Sequence, residues 1–250
     1  MSDTGIGLYV NNNLARWGAM GFAQDGLPNG DEVASWRTTS GGQLVARRPL
    51  SPQRLSELLA EPVRGYRNVI EDSFGVGGVG GVAVPEGVKA MYYPVMLRPP
   101  APVEVTRPEG VEVMAVRDGE GLSQAERVIV EGFPRSELLP WSPRSLMPAA
   151  VLGSPGWWSW LALHNGEPAA AAVSFDDGRS AGVYWLATMP GHRGAGLASA
   201  VMTTILQAHA ELPSVLVATK AALGLYERLG YRTVSEGCWY IHPQRSEGRA

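Results

Sequence analysis

The chain has 250 residues, of which 45% are hydrophobic, and its formal net charge at pH 7 is −3. This length supports one large domain or two small ones with a real core, and the charge balance lacks the basic footprint of nucleic-acid-binding proteins. The single cysteine, Cys238, excludes an intrachain disulfide and a cysteine zinc site, and the four scattered histidines predict no metal centre.

Nothing in the sequence predicts a membrane partner. No apolar run approaches the roughly 18 residues that indicate a transmembrane helix. The first residues, MSDTGIGLYVNNN, lack the basic and apolar regions of a signal peptide. We therefore expect a protein of the cytoplasm, with neither nucleic acid nor membrane among its partners.

The first hundred residues carry weak patterns. A short helix with an asparagine cap is predicted in NNNLARWGAMGF, a strand in EVASWRTT, and a strand in VKAMYYPVML that Pro94 restricts to a sheet edge or a bulge. The stretch LSPQRLSELLA predicts a helix with Ser51 as its N-cap and Pro52 as its first residue. These patterns indicate an α/β region without a recognisable motif.

A connector follows at 97–110, where LRPPAPVEVTRPEG contains four prolines and few large apolar residues. We therefore predict a domain boundary near residue 105, between an N-terminal region at 1–105 and a second domain at 106–250. The N-terminal region is interpreted as a degenerate lid over a binding cleft or as an interaction arm for a homodimer. The sequence leaves both interpretations open.

Beyond the connector the predicted elements are sharper. A strand in GVEVMAV precedes a helix that a capping box of Ser123 and Glu126 opens and that runs to about Glu131. WWSWLAL and PAAAAVSF form a hairpin around an Asn-Gly turn, and AGVYWLAT adds a third strand. A helix that Pro213 stops, the strand SVLVAT, a short helix ended by Gly230 and a final strand or strand pair complete the order.

Two glycine-rich stretches are candidate phosphate sites. GVGGVGG at 75–81 fits G-x-G-x-x-G, but neither a strand nor a helix flanks it, so it is interpreted as a turn-forming loop. GHRGAGLASA at 191–200 lies between a predicted strand and a predicted helix, whose first amides lack internal partners and carry partial positive charge. Gly194 and Gly196 remove side chains where a ligand approaches the backbone, and Arg193 adds a positive charge. This second stretch is predicted to bind a pyrophosphate.

The residues from about 109 to 245 resemble the GNAT superfamily of N-acetyltransferases. Arg193, Gly196 and Ala198 match the family signature R/Q-x-x-G-x-G/A. A second family stretch, N-x-x-A-x-x-L-Y-x-x-x-G-F, has Thr219 in place of its asparagine and is otherwise matched by Ala222, Leu225, Tyr226, Gly230 and Tyr231. The resemblance implies an α/β (α+β) fold: a mixed, mostly antiparallel, twisted sheet flanked by helices, here with an extra N-terminal α/β region.

The resemblance also implies that acetyl-CoA is the acetyl donor and that the acceptor amine attacks the thioester directly, without an acyl-enzyme. The pantetheine arm would pair with strand backbone at Leu186, Ala187 and Thr188. The pyrophosphate would contact the loop residues Arg193, Gly194, Ala195, Gly196, Leu197, Ala198 and Ser199. Tyr226 stands where the family often places the general acid for the CoA sulfur, with simple packing as the alternative.

The general base of the family is a glutamate or aspartate near its fourth strand, and AGVYWLAT contains neither. Glu131 and Asp176 are the less favoured candidates for this role. An aspartate in a turn usually stabilises the turn through hydrogen bonds to its own backbone. His192 is expected to contact solvent or phosphate. Phe133 or Trp141 would line the acceptor site.

Three functions are consistent with these residues. The main expectation is an acetyl-CoA-dependent N-acetyltransferase that acts on the primary amine of a small molecule. The alternatives are the same chemistry on a protein or peptide amine, and a non-catalytic acyl-CoA-binding protein. The missing carboxylate favours the non-catalytic alternative, whereas Tyr226 argues against it. The pI of about 5.8 would suit a cationic acceptor.

Overall fold

A computed structural model describes residues 5–24, 26–60, 67–75, 82–105, 107–133 and 135–242. The GVGGVGG stretch falls almost wholly at 76–81, outside the described residues, so its interpretation as a loop stays a prediction. Across the described residues no helix is long and apolar enough to cross a bilayer. Nor do these residues place three or more His, Cys, Asp or Glu side chains together as a metal site.

The described residues of the first part of the chain supply two helices and four strands. They are α1 (Gly5–Ala19), β1 (Val33–Thr38), β2 (Gly41–Ala46), α2 (Pro52–Ala60), β3 (Asn68–Asp72) and β4 (Lys89–Arg98). α2 begins as predicted, because the hydroxyl oxygen of Ser51 accepts the amide of Arg54 at 3.1 Å. α1 begins six residues earlier than its predicted cap, so the asparagines at 11–13 lie inside the helix.

In the second part, the residues that the structure describes supply six strands and three helices. They are β5 (Val111–Ala115), α3 (Gly119–Gly132), β6 (Trp157–His164), β7 (Glu167–Asp176), β8 (Ala181–Thr188), α4 (Leu197–Ala208), β9 (Ser214–Val217), α5 (Leu223–Arg228) and β10 (Arg232–His242). The β6–β7 turn is the predicted Asn-Gly turn, with φ of 54° at Asn165 and 83° at Gly166. The predicted order of elements in this part is therefore confirmed.

The predicted start of α3 is wrong. The helix begins at Gly119, one turn earlier, where the carboxylate of Asp118 accepts an N–H of the first turn at 2.8 Å. Ser123 donates to the carbonyl of Gly119 and caps nothing. Glu126 is buried and accepts three backbone N–H groups at 2.7–2.8 Å. The donors belong to Arg144, Leu146 and Met147, so Glu126 orders the connection between α3 and β6.

All ten strands join one sheet in the order β1-β2-β3-β10-β4-β9-β8-β7-β6-β5. Neighbours are antiparallel except for the pairs β2–β3 and β8–β9, which are parallel. A mixed, mostly antiparallel sheet flanked by helices confirms the predicted fold class.

Strands from both sides of residue 105 alternate within this sheet. β4 pairs antiparallel with β9 on one edge and with β10 on the other, and β3 pairs with the far edge of β10. Pro94 therefore lies in a central strand, next to a bulge in β10 between Thr233 and Ser235. Pro94 itself pairs in register with Glu236, so the bulge that is predicted as one of its two positions is not at Pro94. On the other edge of β4, Pro94 lies one residue outside the pairs with β9, which begin at Val95. The connector near residue 105 does not separate two sheets.

Helices cover both faces of the sheet. Alternate residues of β7 belong to different core clusters, because successive side chains in a strand point to opposite faces. α1 and α3 pack on the face that carries Ala171 and Val173, and α4 and α5 pack on the face that carries Ala170 and Ala172. α2 packs on a third cluster formed by β1, β2, β3 and β10.

Candidate active site

β8 parts from its neighbour β9 less than half-way along its length. The two strands pair only at Ala181, Gly182 and Val183. The rest of β8 continues to pair with β7 on its other edge, as far as Thr188 opposite Ala170. The β9 side of residues 184–188 is therefore an open strand edge, and it contains Leu186, Ala187 and Thr188.

A bulge marks the point at which the strands part. The register of β8 against β7 shifts between Ala171 and Val173, and Trp185 has a φ of 56°, which is rare for a bulky residue. The ring of Trp185 packs at 6.4 Å from those of Trp17 and Trp157 on the α1 side of the sheet. Aromatic packing thus holds a strained backbone where β8 opens, which is typical of functional sites.

The loop from β8 into α4 presents free backbone donors. Gly194 and Gly196 have φ of 80° and 79°, and Gly196 is the N-cap of α4. The first helical bond of α4 runs from the N–H of Ala200 to the carbonyl of Gly196 at 3.0 Å. The amides of 197–199 precede that bond and have no partner inside the helix, at the end that carries partial positive charge. The residues that are predicted to bind a pyrophosphate, 193–199, are thus the loop before α4 and the first residues of that helix.

Arg193 ties this loop to its surroundings. Its Nη2 donates to the carbonyl of Gly132, at the end of α3, at 3.0 Å, and its Nε donates to the carbonyl of Thr188 at 3.3 Å. A Cβ at Gly132 would lie 3.1 Å from the backbone of Thr188, so the close approach of α3 and β8 favours glycine there. The guanidinium therefore has a structural role in addition to its charge.

Tyr226 lies on α5, in the core cluster on the α4 side of the sheet. Its ring centroid is 5.7 Å from that of Tyr231, and the residue is 6% exposed. Burial raises the pKa of Tyr226 to about 12, so the phenol is protonated at neutral pH. A protonated phenol is what a general acid requires, and the catalytic role of Tyr226 stays a prediction.

The other predicted candidates have structural partners. Glu131 pairs with Arg127 at 3.0 Å on α3, and Asp176 accepts an N–H of the β7–β8 turn at 2.7 Å. The Nδ1 of His192 lies 3.1 Å from the Nδ1 of His164. The base therefore stays unassigned among them.

The two aromatic candidates lie at and beyond the end of α3. Phe133 is the C-cap residue of the helix. Trp141 packs against the core on the α1 side. Trp141 is therefore on the face of the sheet on which the ring of Trp185 packs.

A small cavity lies on the same face, between α1, the β1–β2 turn and the connection from α3 to β6. Its apolar wall is formed by Trp17, Phe22, Val69 and Leu146. Its polar wall is formed by Thr38, Thr39, Ser40, Gln43, Arg67 and Arg135. The hydroxyl of Thr39 donates to the carbonyl of Ser145 and joins the two sides of the wall. Both parts of the chain thus build one cavity.

Two arginines share one carboxylate at this cavity. Nη2 of Arg135 lies 3.1 Å from Oε1 of Glu137, and Nη1 of Arg67 lies 3.7 Å from the same oxygen. Burial lowers the pKa of Arg135, the charge of Glu137 opposes that shift, and the charge of Arg67 adds to it. The three side chains together carry more positive than negative charge.

A buried polar network joins α1 to β3 and contacts Tyr184 of β8. The Oε1 of Glu71 accepts the hydroxyl of Tyr9 at 2.6 Å and the amide of Asn13 at 2.9 Å. Arg16 donates to the Oδ1 of Asn13 at 2.8 Å, and its guanidinium carbon lies 4.3 Å from the ring centroid of Tyr184 on β8. Burial raises the pKa of Glu71 and lowers that of Arg16. The network therefore joins α1 to β8, the strand that parts from β9.

Replacing Glu71 with alanine is expected to lower the free energy of unfolding by about 3–5 kcal/mol, because buried donors and Arg16 would lose their carboxylate. Chemical denaturation measures this change. Glu57→Ala is the matched control, since that carboxylate is 50% exposed on α2 and its loss should change stability by about 0.5 kcal/mol or less. Equal effects of the two substitutions would show that the network contributes little.

Sequence reasoning missed Arg16, Glu71, Arg67 and Arg135. The first three lie in the region that is predicted to be a lid or an arm, and Arg135 lies in a connection without periodicity. One usable signal exists in RNVIEDSF, where Glu71 shares a strand face with the apolar Val69. A charge on an apolar face is a reason to look for a buried partner.

Comparisons with known proteins agree with this geometry. A family model described as an acetyltransferase (GNAT) domain matches residues 156–233, which span β6 to the start of β10. No curated protein is similar enough in sequence to be matched.

Solved structures are similar over nearly the whole chain, at identities that show the fold alone. A GCN5-related N-acetyltransferase from Kribbella flavida is 17% identical with a TM-score of 0.62, and the match covers 94% of this chain and 96% of that one. A putative GNAT-family acetyltransferase from Novosphingobium aromaticivorans is 17% identical with a TM-score of 0.60, and the match covers 98% of both chains. The resemblance to the GNAT superfamily is thus confirmed: residues 156–233 form a GNAT acetyltransferase domain, within a chain whose fold is that of solved GNAT structures.

Proposed function

We propose that the protein is an acetyl-CoA-dependent N-acetyltransferase that transfers the acetyl group directly to the primary amine of a small molecule. The observation that carries this proposal is the open edge of β8, which leads into a loop with unpaired amides at the N-terminus of α4. A pantetheine arm can add to a strand edge through backbone hydrogen bonds, and a pyrophosphate can accept the N–H groups of such a loop. Residues 186–188 and 193–199 would hold the two groups.

The chemistry that these residues serve is a simple exchange of bonds. The amine nitrogen bonds to the thioester carbonyl carbon, and the carbon–sulfur bond breaks. The amine loses one proton and the departing thiolate gains one, so the protein has to position both partners and assist proton transfer. Tyr226 is the proposed proton donor to the sulfur.

We place the acceptor on the α1 side of the sheet, where Trp185 packs beside the opening of β8, and the shape of this side supports a small-molecule acceptor. α1 and the β1–β2 turn close over this side, and Thr39 bridges to the connection between α3 and β6. A protein tail would need a continuous open groove, whereas the cavity at this place is small and walled on several sides.

Incubation with acetyl-CoA and a panel of amines, with release of the CoA thiol as the readout, tests this proposal. We expect thiol release that depends on a small amine and exceeds that with peptide α-amines. CoA binding in calorimetry without thiol release from any amine would instead favour an acyl-CoA-binding protein. Failure to bind CoA at all would contradict the proposal.

Tyr226→Phe is expected to lower kcat by about 10²-fold or more, because a positioned acid is lost from the chemical step. CoA affinity, measured by calorimetry, should change little. Tyr231→Phe is the matched control: it removes the hydroxyl that lies 2.6 Å from the Oγ of Ser214, so it should affect stability and spare kcat. Near-normal turnover of Tyr226→Phe would mean that Tyr226 only packs.

A further inference from the structure

Two histidines join the β6–β7 hairpin to the loop from β8 into α4. His164 is the last residue of β6, and His192 lies in the loop, directly before Arg193. The Nδ1 atoms of the two rings are 3.1 Å apart, and the rings meet edge to face with 5.3 Å between their centroids. In the sheet β7 lies between β6 and β8, so this contact reaches across a whole strand.

The loop has few other contacts that fix its position. A Cβ at Gly191 or Gly194 would meet no neighbouring atom within 4 Å, so the backbone at both positions faces open space. The side chain of His192 is only 24% exposed, because it is turned toward the hairpin. Two side chains therefore anchor the loop: Arg193, through its hydrogen bonds to α3 and β8, and His192, through His164.

The histidine contact holds only while at least one ring is neutral. Two ring nitrogens at hydrogen-bonding distance share one hydrogen, so one nitrogen donates and the other offers its lone pair. A neutral imidazole has one nitrogen without a hydrogen, whereas a protonated imidazole has none. The contact is therefore possible with no charge on the pair, and it becomes a stronger, charge-assisted hydrogen bond with one positive charge. With two positive charges both Nδ1 atoms carry hydrogens, and the rings repel each other.

The charges on the neighbouring elements are nearly balanced. They are those of Glu167 in the β6–β7 turn, Arg193 in the loop, Arg127 and Glu131 on α3, Arg107 and Glu109 before β5 and Glu112 in β5, whereas α4 has none. Oε2 of Glu167 lies 3.9 Å from Nε2 of His192, and this carboxylate is 79% exposed, so solvent screens its charge. Because the two rings are in direct contact, their mutual repulsion outweighs these screened charges.

We propose that His164 is a positioning residue for the loop from β8 into α4: through His192 it holds the amides of 193–199 in the orientation that binds the pyrophosphate, and it releases them when both rings are protonated. The inference rests on the proposed function, and it adds a residue outside the loop and a dependence on pH. The state with the contact binds fewer protons than the state without it, so lowering the pH favours release. Imidazoles titrate around pH 6.5, so cofactor affinity should decline below that pH.

Calorimetric titration with dephospho-CoA from about pH 8 to about pH 5 tests this dependence, since histidine titrates in this range. Dephospho-CoA keeps the pyrophosphate and lacks the 3′-phosphate monoester, whose second ionisation near pH 6 would obscure the result. We expect the affinity of the unmodified protein to fall by about tenfold or more toward the acidic end, as the loss of one charge-assisted hydrogen bond implies. An affinity that stays constant or rises as the pH falls would overturn the inference.

Two variants of His164 separate the hydrogen bond from the charge. Glutamine can still exchange a hydrogen bond with His192 and cannot become charged, so His164→Gln should bind normally at neutral pH and lose the decline in acid. Phenylalanine keeps a ring without a hydrogen-bonding atom, so His164→Phe should bind about tenfold more weakly at neutral pH. In turnover with acetyl-CoA this loss should appear in KM and leave kcat almost unchanged. A decline in acid that persists fully in His164→Gln would contradict the proposed role of the pair.

Two other groups can make the loop sensitive to pH, and each has a control. Glu167→Gln removes the exposed carboxylate beside His192 and should leave the decline unchanged. Loss of the decline in this variant would assign it to the contact of His192 with Glu167 and overturn the inference. His209, at the C-terminal end of α4, is buried beside Ser174, and burial lowers its pKa. Its protonation affects the unmodified protein and His164→Gln alike, so the difference between these two proteins isolates the pair.

Nitrogen NMR of the histidine rings in the free protein tests the pair without any cofactor. We expect two coupled protonation steps for the pair in the unmodified protein and a single step for His192 in His164→Gln. Independent titration of the two rings would overturn the inference and leave the proposed acetyltransferase intact. Coupled steps in a protein that binds no CoA would contradict the proposed function, and with it the role of the pair in cofactor binding.

Discussion

Gly196→Val is expected to weaken CoA binding by at least about a hundredfold, which corresponds to about 2.8 kcal/mol. Gly196 has a φ of 79°, a conformation that a β-branched residue resists. A Cβ at this position would also lie 3.0 Å from the Cγ of Pro108. Valine therefore forces the loop into another conformation, and the amides that precede the first bond of α4 lose their common direction. Calorimetric titration with CoA measures the change.

The matched control is Gly178→Val in the β7–β8 turn. Gly178 has a φ of 80°, and a Cβ at this position would meet no neighbouring atom within 4 Å. Valine there brings the same backbone strain without touching the loop. Both variants should lose stability, and only Gly196→Val should lose CoA affinity. Normal CoA affinity of Gly196→Val would show that CoA binds elsewhere on the chain.

Expression of residues 106–250 alone is expected to give no cooperatively folded protein. Among the strands of the described residues, β10 has only β3 and β4 as neighbours, so the deletion leaves it without a partner, and β9 loses its pairing with β4. The core on the α1 side would lose a set of large buried side chains that includes Tyr9, Trp17, Trp36 and Val95. Unpaired strand edges and exposed apolar surface promote aggregation.

Thermal unfolding followed by circular dichroism tests this expectation, with the full chain as the reference. Co-expression of 1–105 and 106–250 as separate chains is the control, because it restores every strand neighbour without the covalent connector. We expect the pair of fragments to associate and unfold cooperatively. If 106–250 alone unfolds cooperatively and binds CoA, the division of the chain near residue 105 marks two independent folding units.

The sequence predicts the part of the fold that local patterns determine. The Asn-Gly turn, the cap of α2 by Ser51 and the glycines that open α4 each depend on residues a few positions apart. Such short-range signals act through backbone conformation and helix capping, so they can be read without knowing the tertiary structure.

What the sequence does not predict depends on contacts between distant residues. Glu126 has the spacing of a helix cap, yet it serves a loop about 20 residues away. Pro94 is tolerated in β4 because the pairs of β4 with β9 begin only at Val95, and a local pattern does not show where that pairing begins. The arginine pair is hidden for the same reason: Arg67 and Arg135 meet only after β3 and the connection beyond α3 have packed together. A net charge of −3 likewise gives no sign of a cavity rich in positive charge.

The position of β4 between β9 and β10 also has a consequence for biosynthesis. β3 and β4 are translated long before Arg232–His242, the strand that lies between them. Until that strand leaves the ribosome, both earlier strands lack a hydrogen-bonding neighbour that they have in the native sheet. Contacts between residues so far apart in sequence form slowly, because a long loop has to close before they stabilise anything. The sheet is therefore completed only after Arg232–His242 has been synthesised, and the nascent chain is exposed to misassembly until then.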